Sequence, residues 1–355
     1  MFYRRLVECL LVSLGCLASG TLECGHRPLT EVEQHGRELY ARMCAVCHGR
    51  EGQGYAADQA TALAHPDFLA SATDSYLQEA IDLGRSATTM SAWSTERRGP
   101  LSRADVQAVV AYIRTWQRTP NAVLDERPLG GVALRGEISY AAQCAACHGS
   151  RGVGGPYVRI GNPDFLLSAS NGFLRYAIQR GRSGTKMVGF AHGLGDAGIE
   201  DVVALLRSWQ FSPSSQPFRP PAPVGPIPLG PVPLNPRGPA PVGFRPYPAV
   251  TPADAVKAQL DRGARMSLLD ARAPSDYVGE HIAGAVSVPF YDPDPYVPLL
   301  PKDSWIVCYC ACPHAESGQL AQRLQAKGFT KVTVLDEGFG VWRMRKYPTH
   351  TGADP

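Results

Sequence analysis

The stretch Cys44-Ala45-Val46-Cys47-His48 returns between positions 144 and 148 as Cys144-Ala145-Ala146-Cys147-His148. In a chain of 355 residues with 10 cysteines and 9 histidines, chance supplies only about 0.007 matches to Cys-x-x-Cys-His. The repeat therefore marks two copies of one functional unit. Two thiols three positions apart sit about one helical turn from each other, with an imidazole directly after them. That spacing fits the two vinyl groups of a porphyrin and leaves the imidazole to bind its iron, which is the attachment pattern of a covalent c-type haem. The pentapeptides thus predict two haem c groups, held covalently by Cys44 and Cys47 and by Cys144 and Cys147. His48 and His148 are the proximal iron ligands.

An electron-transfer haem needs a second axial ligand, so a thioether or imidazole is expected downstream of each pentapeptide. The first copy supplies Gly84-Arg85-Ser86-Ala87-Thr88-Thr89-Met90, and the second supplies Gly181-Arg182-Ser183-Gly184-Thr185-Lys186-Met187. A lone methionine in an apolar stretch usually fills core space. The shared Gly-Arg-Ser start and matched register instead make Met90 and Met187 the axial candidates. His65 competes, because imidazole also binds iron. It opens His65-Pro66-Asp67-Phe68-Leu69, whose counterpart opens with Asn162, and a ligand replaced by Asn is a poor ligand. His192 has no counterpart in the first copy.

Helical patterns flank each pentapeptide. Gly36, Leu39 and Tyr40 share a face of one leading helix, and Gly136 and Tyr140 hold the corresponding places in the other. Glycine at such a site admits a second helix at close range. The closing helices carry Val110, Ile113 and Trp116, and Val202, Leu206 and Trp209, at helical spacing, with Ser102 and Asp196 as N-cap residues. On these motifs, residues 30–120 and 130–211 resemble two tandem class I cytochrome c domains. The resemblance implies two all-α units with His/Met iron. It also implies one-electron transfer rather than substrate chemistry, because both axial positions are filled.

The N-terminal residues 1–20 read as an export signal, with Arg4 and Arg5 ahead of an apolar run from Leu6 to Ala18. Glu8 and Gly15 interrupt that run, and it is short for a membrane span. Two endings stay open. Cleavage after Ala18-Ser19-Gly20 releases a soluble protein, whereas acylation of Cys16 in Leu14-Gly15-Cys16 anchors the protein to a membrane. Either ending puts the protein in the periplasm or on the outer face of a bacterial membrane, where electron donor and acceptor proteins are its expected partners. The formal charge of +3 and the absence of a basic tract give no footing for nucleic acid. Residues 211–250 contain 14 prolines. Residues 212–250 are therefore expected to be a polyproline spacer.

From residue 251 to 348, short apolar strands alternate with amphipathic helices, which predicts an α/β domain with a parallel sheet. Strands are expected at Met266 to Asp270, Ser304 to Tyr309 and Val332 to Leu335, with helices at Ala253 to Leu260 and Gly318 to Lys327. Cys308 reads as a small buried apolar side chain. Cys310 stands at the carboxyl end of a strand, where open parallel sheets bind ligands. The residues Leu269-Asp270-Ala271-Arg272, Asp276-Tyr277, His281-Ile282-Ala283-Gly284-Ala285, Tyr309-Cys310, Gly328-Phe329 and the ending from Gly338 to Trp342 resemble rhodanese, the sulfurtransferase family. By register Cys310 takes the place of its persulfide-carrying nucleophile. The family's loop closes on an Arg that holds an anionic substrate, but here Cys310-Ala311-Cys312-Pro313-His314-Ala315-Glu316 presents Glu316 at that point. Cys312 stands ready to resolve a persulfide, and a cationic His314 to lower a thiol pKa.

The expectation is thus a multidomain chain of two all-α cytochrome c domains followed by an α/β rhodanese-like domain. It passes single electrons between periplasmic redox partners and couples them to sulfane-sulfur chemistry at Cys310, with a reduced sulfur compound as substrate. The alternative is a pure electron carrier whose rhodanese-like domain only docks partners.

Overall fold

A computed structural model describes residues 27–210, 227, 232–311 and 314–355. The export signal with Cys16, the first half of the proline-rich stretch, and Cys312 lie outside the described residues. The first unit contains α1 (Glu31–Met43), α2 (Ala45–His48), α3 (Pro66–Ser71), α4 (Asp74–Leu83) and α5 (Arg103–Arg114). The second repeats it as α6 (Ala133–Gln143), α7 (Ala145–His148), α8 (Pro163–Ser168), α9 (Asn171–Arg180) and α10 (Ala191–Gln210).

Local chemistry explains where these helices start. Thr30 and Glu33 form a capping box on α1, and Ser102 and Asp105 form one on α5, so orphan N–H groups at both starts find acceptors. In the second unit the segment Ala191–Gln210 is two helices broken at Gly195, whose φ of 63° and ψ of 175° are not helical, so the closing helix starts beside Asp196, near the expected N-cap. Each unit is held by its first and last helices crossing at glycine. A Cβ on Gly36 would stand 1.9 Å from the Ala108 carbonyl oxygen, and one on Gly136 would stand 2.1 Å from that of Asp201. No larger residue permits that approach without moving a helix.

The C-terminal domain consists of β1 (Val250–Thr251), α11 (Ala253–Asp261), β2 (Met266–Asp270), α12 (Pro274–Gly279), β3 (His281–Ile282), β4 (Ala285–Ser287), β5 (Trp305–Tyr309), α13 (Ala315–Ala326), β6 (Val332–Leu335), α14 (Gly338–Met344) and β7 (Thr349–His350). Five strands form one parallel sheet in the order β1-β6-β5-β2-β4, while β3 and β7 pair antiparallel. The central strands β2 and β6 are buried along their whole length, as parallel strands covered on both faces must be.

The proline-rich stretch departs from the expected free spacer. From residue 232 it lies on the α/β domain. Leu234 bridges Met266, the Tyr247 N–H donates to the Val332 carbonyl at 2.7 Å, and Phe244 is buried in that domain's core. The apolar residues interleaved with the prolines give this half of the stretch a core to join, which composition alone does not reveal.

Candidate functional site

In the first unit the residues singled out by sequence share one cavity. Cys44, Cys47, His48 and Met90 line it together with apolar Val46, Leu63, Phe68, Leu77, Ile81, Trp93, Val109 and Ile113. The short helix α2 sets the two thiols and the imidazole one after another. His48 Nδ1–H donates to the Thr61 carbonyl at 2.9 Å, and His148 Nδ1–H donates to the Val158 carbonyl at 2.9 Å. Each bond fixes one tautomer and orients Nε2 as the free ligating nitrogen. Burial pushes both imidazoles toward the neutral form, opposed by those carbonyl bonds. In the first unit an imidazole, a thioether and two thiols line one largely apolar cavity, which is the donor set that haem c requires, and the residues fit the group.

The methionine loops repeat atom for atom. Glycine ends the preceding helix at φ 64° in Gly84 and 68° in Gly181, and a Cβ on Gly84 would strike the Met90 carbonyl at 2.5 Å. The Arg85 N–H donates to the Met90 carbonyl at 2.8 Å, and the Arg182 N–H to that of Met187 at 2.7 Å. Thr88 Oγ1 accepts from the Met90 N–H, and Thr185 Oγ1 from that of Met187, each at 3.1 Å. His65 takes no part in this set. Its ring caps α3 by accepting from the Asp67 N–H, as Asn162 caps α8. His192 is exposed.

Sequence reading missed several supports of the site. Tyr40 and Tyr140 donate their hydroxyls to the carbonyls of Gly49 and Gly149 at 2.7 and 2.8 Å, just past each pentapeptide. Arg114 donates to the carbonyls of Leu69 and Ala72, and Arg207 to those of Leu166 and Ala169. Both arginines stand two positions before a tryptophan in their closing helices, a repeat that was available to find them.

The α/β domain closes over the first unit. Ser275 Oγ donates to the Ala92 carbonyl at 2.8 Å, Ser91 Oγ donates to Asp276 Oδ2 at 2.5 Å, and the rings of Trp93 and Tyr291 lie 5.6 Å apart. Glu316, 3% exposed in the first turn of α13, lines the same cavity as Cys44 and Cys47. Burial drives its carboxyl well above the usual carboxylate range, with Cys310 and Asp276 adding to the rise and Arg272 opposing it. Burial also raises the Cys47 thiol, and the charges of Glu316 and Cys310 reach it. Cys310 itself is 1% exposed, with its Sγ 3.3 Å from Ser317 Oγ. His314, expected as a cationic neighbour of the thiol, turns Nε2 to Asp336, 2.7 Å from its carbonyl oxygen and 3.0 Å from its Oδ1. Its left-handed backbone, φ 67°, turns the chain into α13 there. Cys308 is fully buried in β5, and burial raises its thiol.

Fold and site together define tandem cytochrome c units joined to a rhodanese-like domain. The family model for cytochrome C oxidase, cbb3-type, subunit III matches residues 31–113 and again 131–206, and that for the rhodanese-like domain matches residues 252–345. The Cbb3-type cytochrome c oxidase subunit CcoP of Azospirillum brasilense is 27% identical over 191 residues, which is 49% of this chain and 60% of that protein. Subunit FixP of Azorhizobium caulinodans is 28% identical over 155 residues, 39% of this chain and 48% of that one. The chain therefore spans three fifths or less of these relatives. Among solved structures, the rhodanese-like domain of an Anabaena protein is 31% identical, covering 29% of this chain and 78% of that one at a TM-score of 0.27. Cytochrome c domains of this kind imply haem c binding and electron transfer.

Proposed function

We propose that the chain is an exported carrier of two haem c groups that passes single electrons between periplasmic redox proteins, and that Cys310 accepts sulfane sulfur from a reduced sulfur compound beside the first haem site. The observation that carries this reading is the duplicated donor set, in which each Cys-x-x-Cys-His is paired with a methionine loop of the same hydrogen-bond pattern. When bound, haem supplies a one-electron iron couple whose potential His/Met ligation raises. The chain's residues do the rest. Cys44, Cys47, Cys144 and Cys147 would tether the group, and His48, His148, Met90 and Met187 would ligate its iron. Apolar side chains such as Leu77, Ile81 and Val109 exclude water from the first site.

Export is supported by Arg4 and Arg5 ahead of an apolar run, and Cys16 offers lipid anchoring. Sulfur handling at Cys310 is supported by Glu316, six residues on, which lines the cavity that holds Cys44 and Cys47. The docking reading has its own support, since Cys310 is buried and Glu316 occupies the place of an anion-binding arginine. Purified holoprotein given thiosulfate or polysulfide separates the two. The coupled reading expects the Cys310 thiolate to take the outer sulfur of thiosulfate with release of sulfite, giving a persulfide, and oxidation of that persulfide sulfur to reduce the haem iron, both lost in Cys310→Ser. If neither appears and Cys310→Ser behaves as the parent, the domain is a docking module.

A further inference from the structure

The two haem units meet about a pseudo-two-fold axis, and what they exchange there is the support of each other's methionine loop. Tyr76 of α4 and Phe173 of α9 hold equivalent positions and stack at 5.0 Å between ring centroids. Phe68 packs on Phe173 and Phe165 on Tyr76, at 6.4 and 6.5 Å. Around these rings the polar contacts cross over. Asp164 Oδ2, on α8 of the second unit, accepts from the Ser86 N–H in the first unit's methionine loop at 2.6 Å. Asn162 Nδ2 and Arg159 Nη1 of the second unit donate to the carbonyls of Ser86 and Ala87 in the same turn, at 2.7 and 2.6 Å. In return, Asp67 Oδ2 of the first unit accepts from the Ser183 N–H of the second unit's loop at 2.6 Å, and His65 Nε2–H donates to the Ser183 carbonyl at 3.1 Å. Ser86 and Ser183 each lie four residues before the candidate ligand.

Nothing in a unit's own fold requires its Pro-Asp-Phe turn to end in an acceptor aimed outward, yet both do so at the same position. An amide held by a carboxylate is about twice as strongly bound as a neutral pair. A loop closed internally by Arg85 to Met90 and the Thr88 hydroxyl, or by Arg182 to Met187 and the Thr185 hydroxyl, gains a fixed anchor outside itself from it. We propose that Asp164 and Asp67 are cross-domain positioning residues, each setting the methionine loop of the haem carried by the other unit. The potential of each haem then depends on the docking of both units. The first haem, clamped by Arg159, Asn162 and Asp164, is the more tightly governed. This rests on the reading of Met90 and Met187 as axial ligands.

The test uses full-length holoprotein carrying Asp164→Asn or Asp67→Asn. Spectroelectrochemical titration gives both potentials, and the methionine methyl resonances of the reduced protein, assigned with Met90→Ala and Met187→Ala, report each ligand. Positioning expects Asp164→Asn to perturb the Met90 resonance alone, to weaken the thioether-to-iron band and to lower one potential. The reduced-to-oxidised ratio should move about tenfold, or about 59 mV for a one-electron couple. Asp67→Asn should do the same to the Met187 centre, and Asp164→Glu should recover part of the loss. A potential that rises with the thioether band intact would mean the carboxylate acts only by its charge, and the proposal fails. It fails as well if both centres change together, if the perturbed centre is in the mutated unit, or if neither moves. Should Met90→Ala and Met187→Ala leave the thioether bands unchanged, the ligand reading fails instead, whatever the aspartate variants do.

Discussion

At the scale of single residues, the methionines are where the reading is most exposed to test. Met90→Ala or Met187→Ala is expected to abolish one thioether-to-iron band and lower one potential, because a thioether holds the reduced iron better than water or hydroxide does. His65→Ala, which removes a helix cap and one hydrogen bond to the Ser183 carbonyl but no iron ligand, should leave both centres low-spin. A second residue-scale prediction concerns Arg175, 1% exposed in α9, whose guanidinium grips Glu200 at 2.6 and 3.0 Å. That grip holds the Glu200 carboxyl down at about 2, from an ordinary 4.5. Because the folded value is depressed, the stabilisation is fully present above pH 4.5 and is lost as pH falls from there toward 2. Acid titration followed by circular dichroism should show the second unit losing stability across that window, with the slope reduced in Glu200→Gln. Arg175→Met leaves the Glu200 carboxylate to the half-exposed Arg127 and the Gly130 N–H and should lower stability in chemical denaturation at neutral pH.

At the scale of elements, the crossing of first and last helices carries each unit. Gly136→Ala forces α6 away from α10, where the Asp201 carbonyl sits 2.1 Å from the added carbon. Asp201 is also the acceptor for Arg135 and for the Val132 N–H, so the displaced helix drags an ion pair with it. Overpacking of this kind costs about 3 kcal/mol. Thermal melts of the holoprotein should register the loss in the second unit, while the first unit's haem spectrum stays as in the parent. Gly36 and Gly136 were legible in sequence, since they recur at one position relative to the tyrosine and the pentapeptide. The strands were legible too, and β2 and β6 occupy Met266–Asp270 and Val332–Leu335 as the apolar runs indicate. The start of α13 was not, because Pro313 and His314 read as loop. The chain enters the helix at Ala315, which brings Glu316 into its first turn.

At the scale of the whole molecule, the two haem units differ in what covers them. Ser91, Ala92 and Trp93 follow Met90 and are buried under the α/β domain, while Val188, following Met187, is 59% exposed. Cys310 of the α/β domain is 1% exposed. Iodoacetamide should therefore alkylate Cys310 slowly in the native protein and faster in Tyr291→Ala, which removes the ring facing Trp93, as peptide mass spectrometry would record. Equal rates would mean that the interface does not guard the thiol. The sequence by itself determined the chemistry of attachment, because Cys-x-x-Cys-His and the methionine register are local patterns set by the spacing of a helix and the size of a porphyrin. It also determined the order of α and α/β domains, because hydrophobic periodicity is a property of short windows. Only the tertiary structure decided that Asp67 and Asp164 reach across to the opposite loop, that Glu316 faces the first haem cavity, and that the second half of the proline-rich stretch is packed. Those contacts join residues from about 30 to 270 positions apart, and no local pattern encodes which distant surface a side chain will meet once the chain has closed on itself.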